Sequence, residues 1–328
     1  MTNGTHALVL GADGFIGRRL CTHLLRKGWS VDRGVQFFEA PPSDAEAPHD
    51  RERTLLMGPF ADNIENALAE SEPDVVFNLA AAGVGVKVPY ADLIDGNAGL
   101  VARLMQHIDP GTTTRVIHAG SWSQYHLGDP NRDITEDEPM DPPTVYGAAK
   151  VGAELVGRTA SAEVGVPFIT LRLFNVYGPG ENSARLIPYV VDAVSTGSVS
   201  NLTSGEQIRD FVFVDDVAAA FEVCGALANP VSRSFNVATG TGTRVRDVAI
   251  EAAQVAGGEH RFLKFGAKPQ REDEPPRVVG DARALTEATG WKPQVAVAEG
   301  IERTIRSILN NGTDHDRSDS DFDRHPRL

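Results

Sequence analysis

An α/β fold, a doubly wound parallel sheet with a smaller C-terminal lobe, is predicted by three features of the sequence. The first is a glycine-punctuated turn, Gly11-Ala12-Asp13-Gly14-Phe15-Ile16-Gly17, between an apolar strand and a helix. The second is the alternation of short apolar runs with helical periodicity that follows it. The third is Tyr146 and Lys150, four apart at the start of a helix and so on one helix face. Strand, tight turn and helix form the unit that holds a dinucleotide, and repeats of that unit wind into a sheet whose ligands meet at the carboxyl ends of the strands.

The composition bounds the function. With 328 residues, 41% hydrophobic and 23% charged, the chain reads as a soluble globular protein of one large domain or two that share a core. Its formal net charge of -14 argues against a nucleic acid or an anionic membrane as partner, because both need clustered Lys and Arg. An anionic small molecule stays open, since a pocket needs only a few local arginines. The two cysteines, Cys21 and Cys224, fall among apolar residues without metal-ligand or redox spacing and read as buried thiols of a reducing compartment. No metal site is expected. The N-terminal residues are short and polar and run straight into a strand, so no signal peptide is expected. No apolar run approaches the ~20 residues of a membrane span. A cytoplasmic protein is expected.

Taken in order, Ala7-Leu8-Val9-Leu10 forms the first strand, and Leu20, Leu24 and Leu25 mark the helix after the glycine turn. Gly11 allows the turn, Gly14 lets the backbone approach a pyrophosphate, and Gly17 allows close helix packing, with Phe15 and Ile16 at the helix start facing the phosphates. Residues 30–35 form the second strand. An acidic residue at its end would accept hydrogen bonds from an adenosine ribose, but Val35 and Gln36 stand there, and Arg33 is placed to approach a 2′-phosphate. The site therefore leans towards NADP(H) over NAD(H). Residues 39–53 read as a surface loop, Leu55-Leu56-Met57 as a strand and 62–70 as a helix. Residues 75–81 form a buried parallel strand whose small end, Leu79-Ala80-Ala81, lets a cofactor lie against the backbone. Arg115-Val116-Ile117-His118-Ala119 is the next strand and delivers the Ser121 hydroxyl; His118 is given no catalytic role. Tyr146 is a poor acid/base at neutral pH unless a positive charge steadies its phenolate, and Lys150 supplies one. Residues 168–173 and 234–237 read as further strands, and 313–328, polar and without periodicity, as a disordered tail.

With the glycine turn, Ser121 and the Tyr146–Lys150 pair in that order, the chain resembles the extended short-chain dehydrogenase/reductases, in particular the epimerase/dehydratase branch that modifies nucleotide sugars. The resemblance covers roughly residues 6 to 309. It implies a dinucleotide domain of residues 1–178 plus about 211–240, a substrate lobe of 179–210 and 241–310, and a homodimer. It implies that Ser121, Tyr146 and Lys150 are catalytic, with Tyr146 and Lys150 also holding the cofactor and Asn97 supporting the site. It further implies that Asn175, in Phe174-Asn175-Val176-Tyr177-Gly178-Pro179-Gly180, binds a sugar nucleotide, and that Arg209 and Arg271 grip its diphosphate, with Arg277 as the competitor of Arg271. Trp122 and Ser123 follow Ser121 where 4,6-dehydratases carry Asp and Glu, so dehydration is not expected. Trp122 and His126 stand as further substrate contacts, and Pro59 replaces a family aspartate at the adenine. The expected reaction is hydride transfer that reduces a nucleotide 4-keto-hexose; a nucleotide-sugar 4-epimerase with retained NAD is the alternative, and a non-catalytic dinucleotide-binding scaffold the third reading.

Overall fold

The computed structural model describes residues 4–36, 51–58, 62–83, 88–270 and 274–312. The first unit is strand β1 (His6–Leu10), helix α1 (Phe15–Arg26) and strand β2 (Ser30–Val35). Gly11 takes φ +76°, and a Cβ there would lie 2.8 Å from the Ala80 nitrogen. A Cβ on Gly17 would meet the Gly11 carbonyl oxygen at 2.0 Å, so the helix sits on the turn as only glycine permits. Strand β3 (Glu52–Leu56) starts earlier than expected, within the segment read as loop. Its Arg53 reaches the buried Asp32 on β2 through two nitrogens, at 2.5 and 3.0 Å, and that pairing extends the strand.

Helix α2 (Ile64–Ser71) leads to β4 (Val75–Asn78), every residue of which is buried. Helix α3 (Tyr90–Ile94) continues through a π-helical turn at 95–99 into α4 (Leu100–His107). Strand β5 (Arg115–Ser121) ends at a single 3-10 turn, Trp122–Gln124. Helix α5 (Val145–Val164) begins where the Thr144 hydroxyl accepts the Gly147 N–H at 3.1 Å, and ends at Gly165 in the left-handed region. Its buried face carries small residues, and at Gly157 a Cβ would come within 2.3 Å of the Phe168 ring, which brings the helix hard against the sheet.

Strand β6 (Phe168–Leu173) completes the run, and β7 (Asn175–Tyr177), α6 (Leu186–Thr196), β8 (Ser200–Asn201) and β9 (Ile208–Phe213) lead into the lobe. Helix α7 (Val214–Gly225) and β10 (Arg233–Val237) return to the sheet. The chain closes with β11 (Gly242–Arg244), α8 (Val245–Val255), β12 (Leu263–Lys264), β13 (Arg277–Val278), α9 (Arg283–Thr289) and α10 (Val297–Gly312).

The central sheet has seven strands in the order β10-β6-β5-β4-β1-β2-β3, and every neighbouring pair is parallel. One apolar cluster lies on the α1 and α7 face, around Leu20, Phe77 and Phe221; a second lies on the α4 and α5 face, around Leu8, Leu104 and Phe168. The lobe has a cluster of its own, around Tyr177, Val190, Phe213 and Ile301. Strand β9 pairs with β7, β11 and β13 in a separate small sheet, so the run at 208–213 belongs to the lobe, while β10 forms an edge of the large sheet. Both cysteines are free and buried, and burial pushes each thiol up to about 12. Among the described residues no helix is long and apolar enough to cross a membrane, and no cluster of side chains suits a metal ion.

Candidate active site

Parallel strands all end on one side of a sheet, and the ends of β1, β2 and β4 here wall a cleft of about 300 Å³. Gly11 and Gly14 form one side; Leu79, Ala80 and Ala81 form the floor; Gly34, Gln36, Met57 and Gly58 close the far end. The glycine cradle is space that a Cβ would fill, and it suits a dinucleotide pyrophosphate approaching the start of α1. Phe15 and Ile16 open that helix, and Ile16 packs on the core. Asn97 is buried and donates to the carbonyls of Leu93 (2.8 Å) and Ala82 (3.1 Å), which ties the π-helical turn to the cleft wall. Its side chain thus has a structural task at the cleft wall.

Arg33 does not reach this cleft. Side chains alternate along a strand, so Arg33 shares the face of Val31 and Val35, and its guanidinium lies 3.5 Å from Glu52. It is absent from the cleft lining, where Gly34 and Gln36 stand instead. Gly34 and Gln36, and not the Arg33 expected to approach a 2′-phosphate, line this end of the cleft. Pro59 and Arg271 lie outside the described residues.

Strand β5 and helix α5 deliver the chemistry. The Ser121 hydroxyl stands close enough to the Tyr146 phenol to act on its charge. Burial pushes the Tyr146 phenol up to about 12, and Ser121 together with the Arg185 guanidinium at the start of α6 pulls it back. Lys150 is 3% exposed; its ammonium donates to the Ala119 carbonyl at 2.9 Å, and burial lowers it to about 8. Ser121 and the Arg185 guanidinium thus both steady the phenol. His118 is fully buried and held well below its usual range, by burial first and then by the Lys150 charge. Its Nδ1 lies 3.2 Å from the Asn78 amide nitrogen.

Behind these groups lies a buried polar network. Glu154, one turn beyond Lys150, accepts Arg172 at 2.5 and 3.0 Å, Gln124 at 2.8 Å and Ser234 at 2.7 Å. Gln124 in turn accepts the Ser121 backbone N–H at 2.7 Å, and Arg172 donates to the Tyr125 hydroxyl at 2.8 Å. Sequence reading passed over Glu154 and Arg172, although a charged residue four along from Lys150 on the buried helix face was a usable signal.

A second cleft, of about 260 Å³, opens between β7, α6 and β9. It brings together Asn175, Arg185 and Arg209, as the resemblance implied for Asn175 and Arg209. Arg209 is buried and paired with Glu274 rather than with its neighbours Glu206 or Asp210. Asp210 instead accepts the N–H groups of Thr239 and Gly240, at 2.8 and 3.0 Å, and so fastens the turn after β10. His126 is more than half exposed, 3.4 Å from Asp141, and lines a separate recess with Arg277. It does not join the other substrate candidates, and Arg277, bonded to Asp133 at 2.5 Å, does not join Arg209. Trp122 is half-buried and packs on the core cluster.

A parallel sheet with a phosphate cradle, and a phenol, hydroxyl and ammonium at the next strand end, define an enzyme of the extended short-chain dehydrogenase/reductase type. The chain belongs to the NAD dependent epimerase/dehydratase family, whose model matches residues 7–238. It is 31% identical to the UDP-glucose 4-epimerase of Mycolicibacterium smegmatis over 322 residues, covering 92% of this chain and 98% of that protein. It is 36% identical to the CDP-abequose synthase of Salmonella typhimurium over 149 residues, 44% of this chain and 49% of that one. Among solved structures, MoeE5 in complex with UDP-glucuronic acid and NAD superposes with a TM-score of 0.82 at 26% identity, over 93% of this chain and 99% of that one.

Proposed function

We propose that the chain is a nucleotide-sugar 4-epimerase that keeps NAD bound. The observation that carries this choice is the position of Arg33. Turned to Glu52 and away from the cleft, it removes the structural reason for preferring NADPH, and with it the main support for a reductase that exchanges its cofactor. The whole-length likeness to a UDP-glucose 4-epimerase supports the same reading. When bound, the nicotinamide supplies an acceptor for the hydride of the sugar carbon and returns it. Tyr146 takes the proton of the sugar hydroxyl and gives it back; Ser121 donates a hydrogen bond to the same oxygen; Lys150 holds the nicotinamide ribose. Asn175 and Arg209 hold the nucleotide diphosphate while the keto sugar presents its other face. Trp122 and Ser123 offer no acid/base pair for dehydration.

A reductase of a 4-keto nucleotide sugar is the second reading, favoured by the missing carboxylate at Val35 and Gln36 and by the partial likeness to CDP-abequose synthase. Reduced nicotinamide absorbance is followed against product formed. The epimerase yields product with no net change in absorbance and carries near one NAD per purified chain. Oxidation of NADPH or NADH in step with product would establish the reductase.

A further inference from the structure

The residue that replaces the second dehydratase acid has a role of its own. A serine hydroxyl has one proton to donate and two lone pairs that accept. At Ser121 both lone pairs face Ser123: the Ser123 N–H donates to Ser121 Oγ at 3.2 Å, and the Ser123 hydroxyl donates to the same atom at 2.9 Å. The backbone is fixed separately, because the Ser121 N–H is held by Gln124, itself anchored to buried Glu154. The Ser123 carbonyl is also the floor on which the Tyr146 helix rests, since a Cβ on Gly147 would lie 2.2 Å from that oxygen.

We propose that Ser123 is a positioning residue which, by filling the acceptor sites of Ser121 Oγ, leaves the Ser121 proton only outward directions, so that Ser121 donates to the Tyr146 oxygen or to the substrate oxygen and does not accept from them. This rests on the reading of Ser121 and Tyr146 as the acid/base pair. Without the Ser123 hydroxyl, Ser121 regains a free lone pair and accepts from the neutral Tyr146 phenol, so that ionising Tyr146 first breaks that bond and must turn the Ser121 proton round. The other charges near Tyr146, Arg185 from α6 and Lys150 on its own helix, are left as they are by a change at position 123.

The test needs no substrate. The chain has five tyrosines, and labelling their Cζ carbons with 13C, with Tyr146→Phe to assign the resonance, follows Tyr146 between about pH 8 and about pH 11 while circular dichroism confirms the fold. A hydrogen bond of ordinary strength corresponds to about 0.4–1.1 pH units, so the ionised fraction at about pH 11 falls about 3- to 10-fold in Ser123→Ala and stays at the wild-type level in Ser123→Thr, which keeps the hydroxyl. An unchanged Tyr146 response in Ser123→Ala overturns the proposal, and so does an equal loss in both variants, which would trace the effect to packing. The function is judged separately by turnover. If Tyr146→Phe leaves turnover intact, the acid/base reading fails whatever the titration shows; if Tyr146→Phe abolishes turnover and Ser123→Ala leaves the titration unmoved, only the role of Ser123 fails.

Discussion

The cofactor half and the lobe build their sites in opposite ways. Around the first cleft the walls are backbone: Gly11, Gly14 and Ala80 present main chain, and their places follow from where parallel strands stop. Around the second cleft the working groups are long side chains, each already engaged by an acid, Arg209 by Glu274 and Arg185 by Glu181. A backbone wall accepts one shape of ligand and varies little with sequence. A wall of paired charges binds an anion only by displacing the resident carboxylate, so its affinity is a difference between two pairings. Chemistry is thus placed by topology, and substrate choice by replaceable side chains.

The sharpest break of this comparison lies on the chemical side. Tyr146→Phe removes one oxygen and is expected to lower turnover by about 10²- to 10⁴-fold with NAD affinity unchanged by calorimetry. A fall of less than a few-fold would move the proton chemistry to another residue. On the lobe side, Arg209→Ala is expected to weaken UDP binding by about 10- to 100-fold while NAD binding stays level, because charge-assisted hydrogen bonds are the strong ones. Unchanged UDP affinity would assign the second cleft to another ligand.

Lys150 sharpens the comparison through pH. Its folded value of about 8 lies below the ~10.4 of an unfolded chain, so between those values the unfolded chain binds more protons and stability rises with pH. The cost of burying the ammonium is full below about 8 and gone above ~10.4. Lys150→Met should therefore melt higher than the nucleotide-free wild type at neutral pH, by an amount worth about 1–2 kcal/mol, with the gap closing as the pH approaches ~10.4. A variant that melts lower at neutral pH would show that the bond to the Ala119 carbonyl outweighs desolvation. The smallest effect expected is at Arg33: Arg33→Ala should change the ratio of NAD to NADP affinity by less than about twofold, because its partner is Glu52 and it does not line the cleft. A selective loss of NADP binding would restore the original expectation for that residue.

Sequence exposed the cofactor half well because its signals are local. Gly11 to Gly17 and Leu79 to Ala81 each lie in one short stretch, and spacing along a strand or helix fixes what they face. The side of β2 that Arg33 takes was not legible, because one step along a strand exchanges the cleft face for the Glu52 face. The lobe was harder to read. The partner of Arg209 lies 65 residues away, and His126, close in sequence to Ser121, ends in a different recess. Ser123 registered only as a missing acid, because the direction of a hydroxyl proton is a property of three-dimensional neighbours.

Gly147 carries one more consequence. With no room for a side chain between its Cα and the Ser123 carbonyl, the first turn of the Tyr146 helix and the turn after β5 form one mechanical piece. The backbones that carry phenol and hydroxyl therefore sit on one tightly packed unit, whose spacing is set within the sheet half and not by the lobe. Adaptation to a new sugar is then confined to the lobe, which can be rebuilt around that unit.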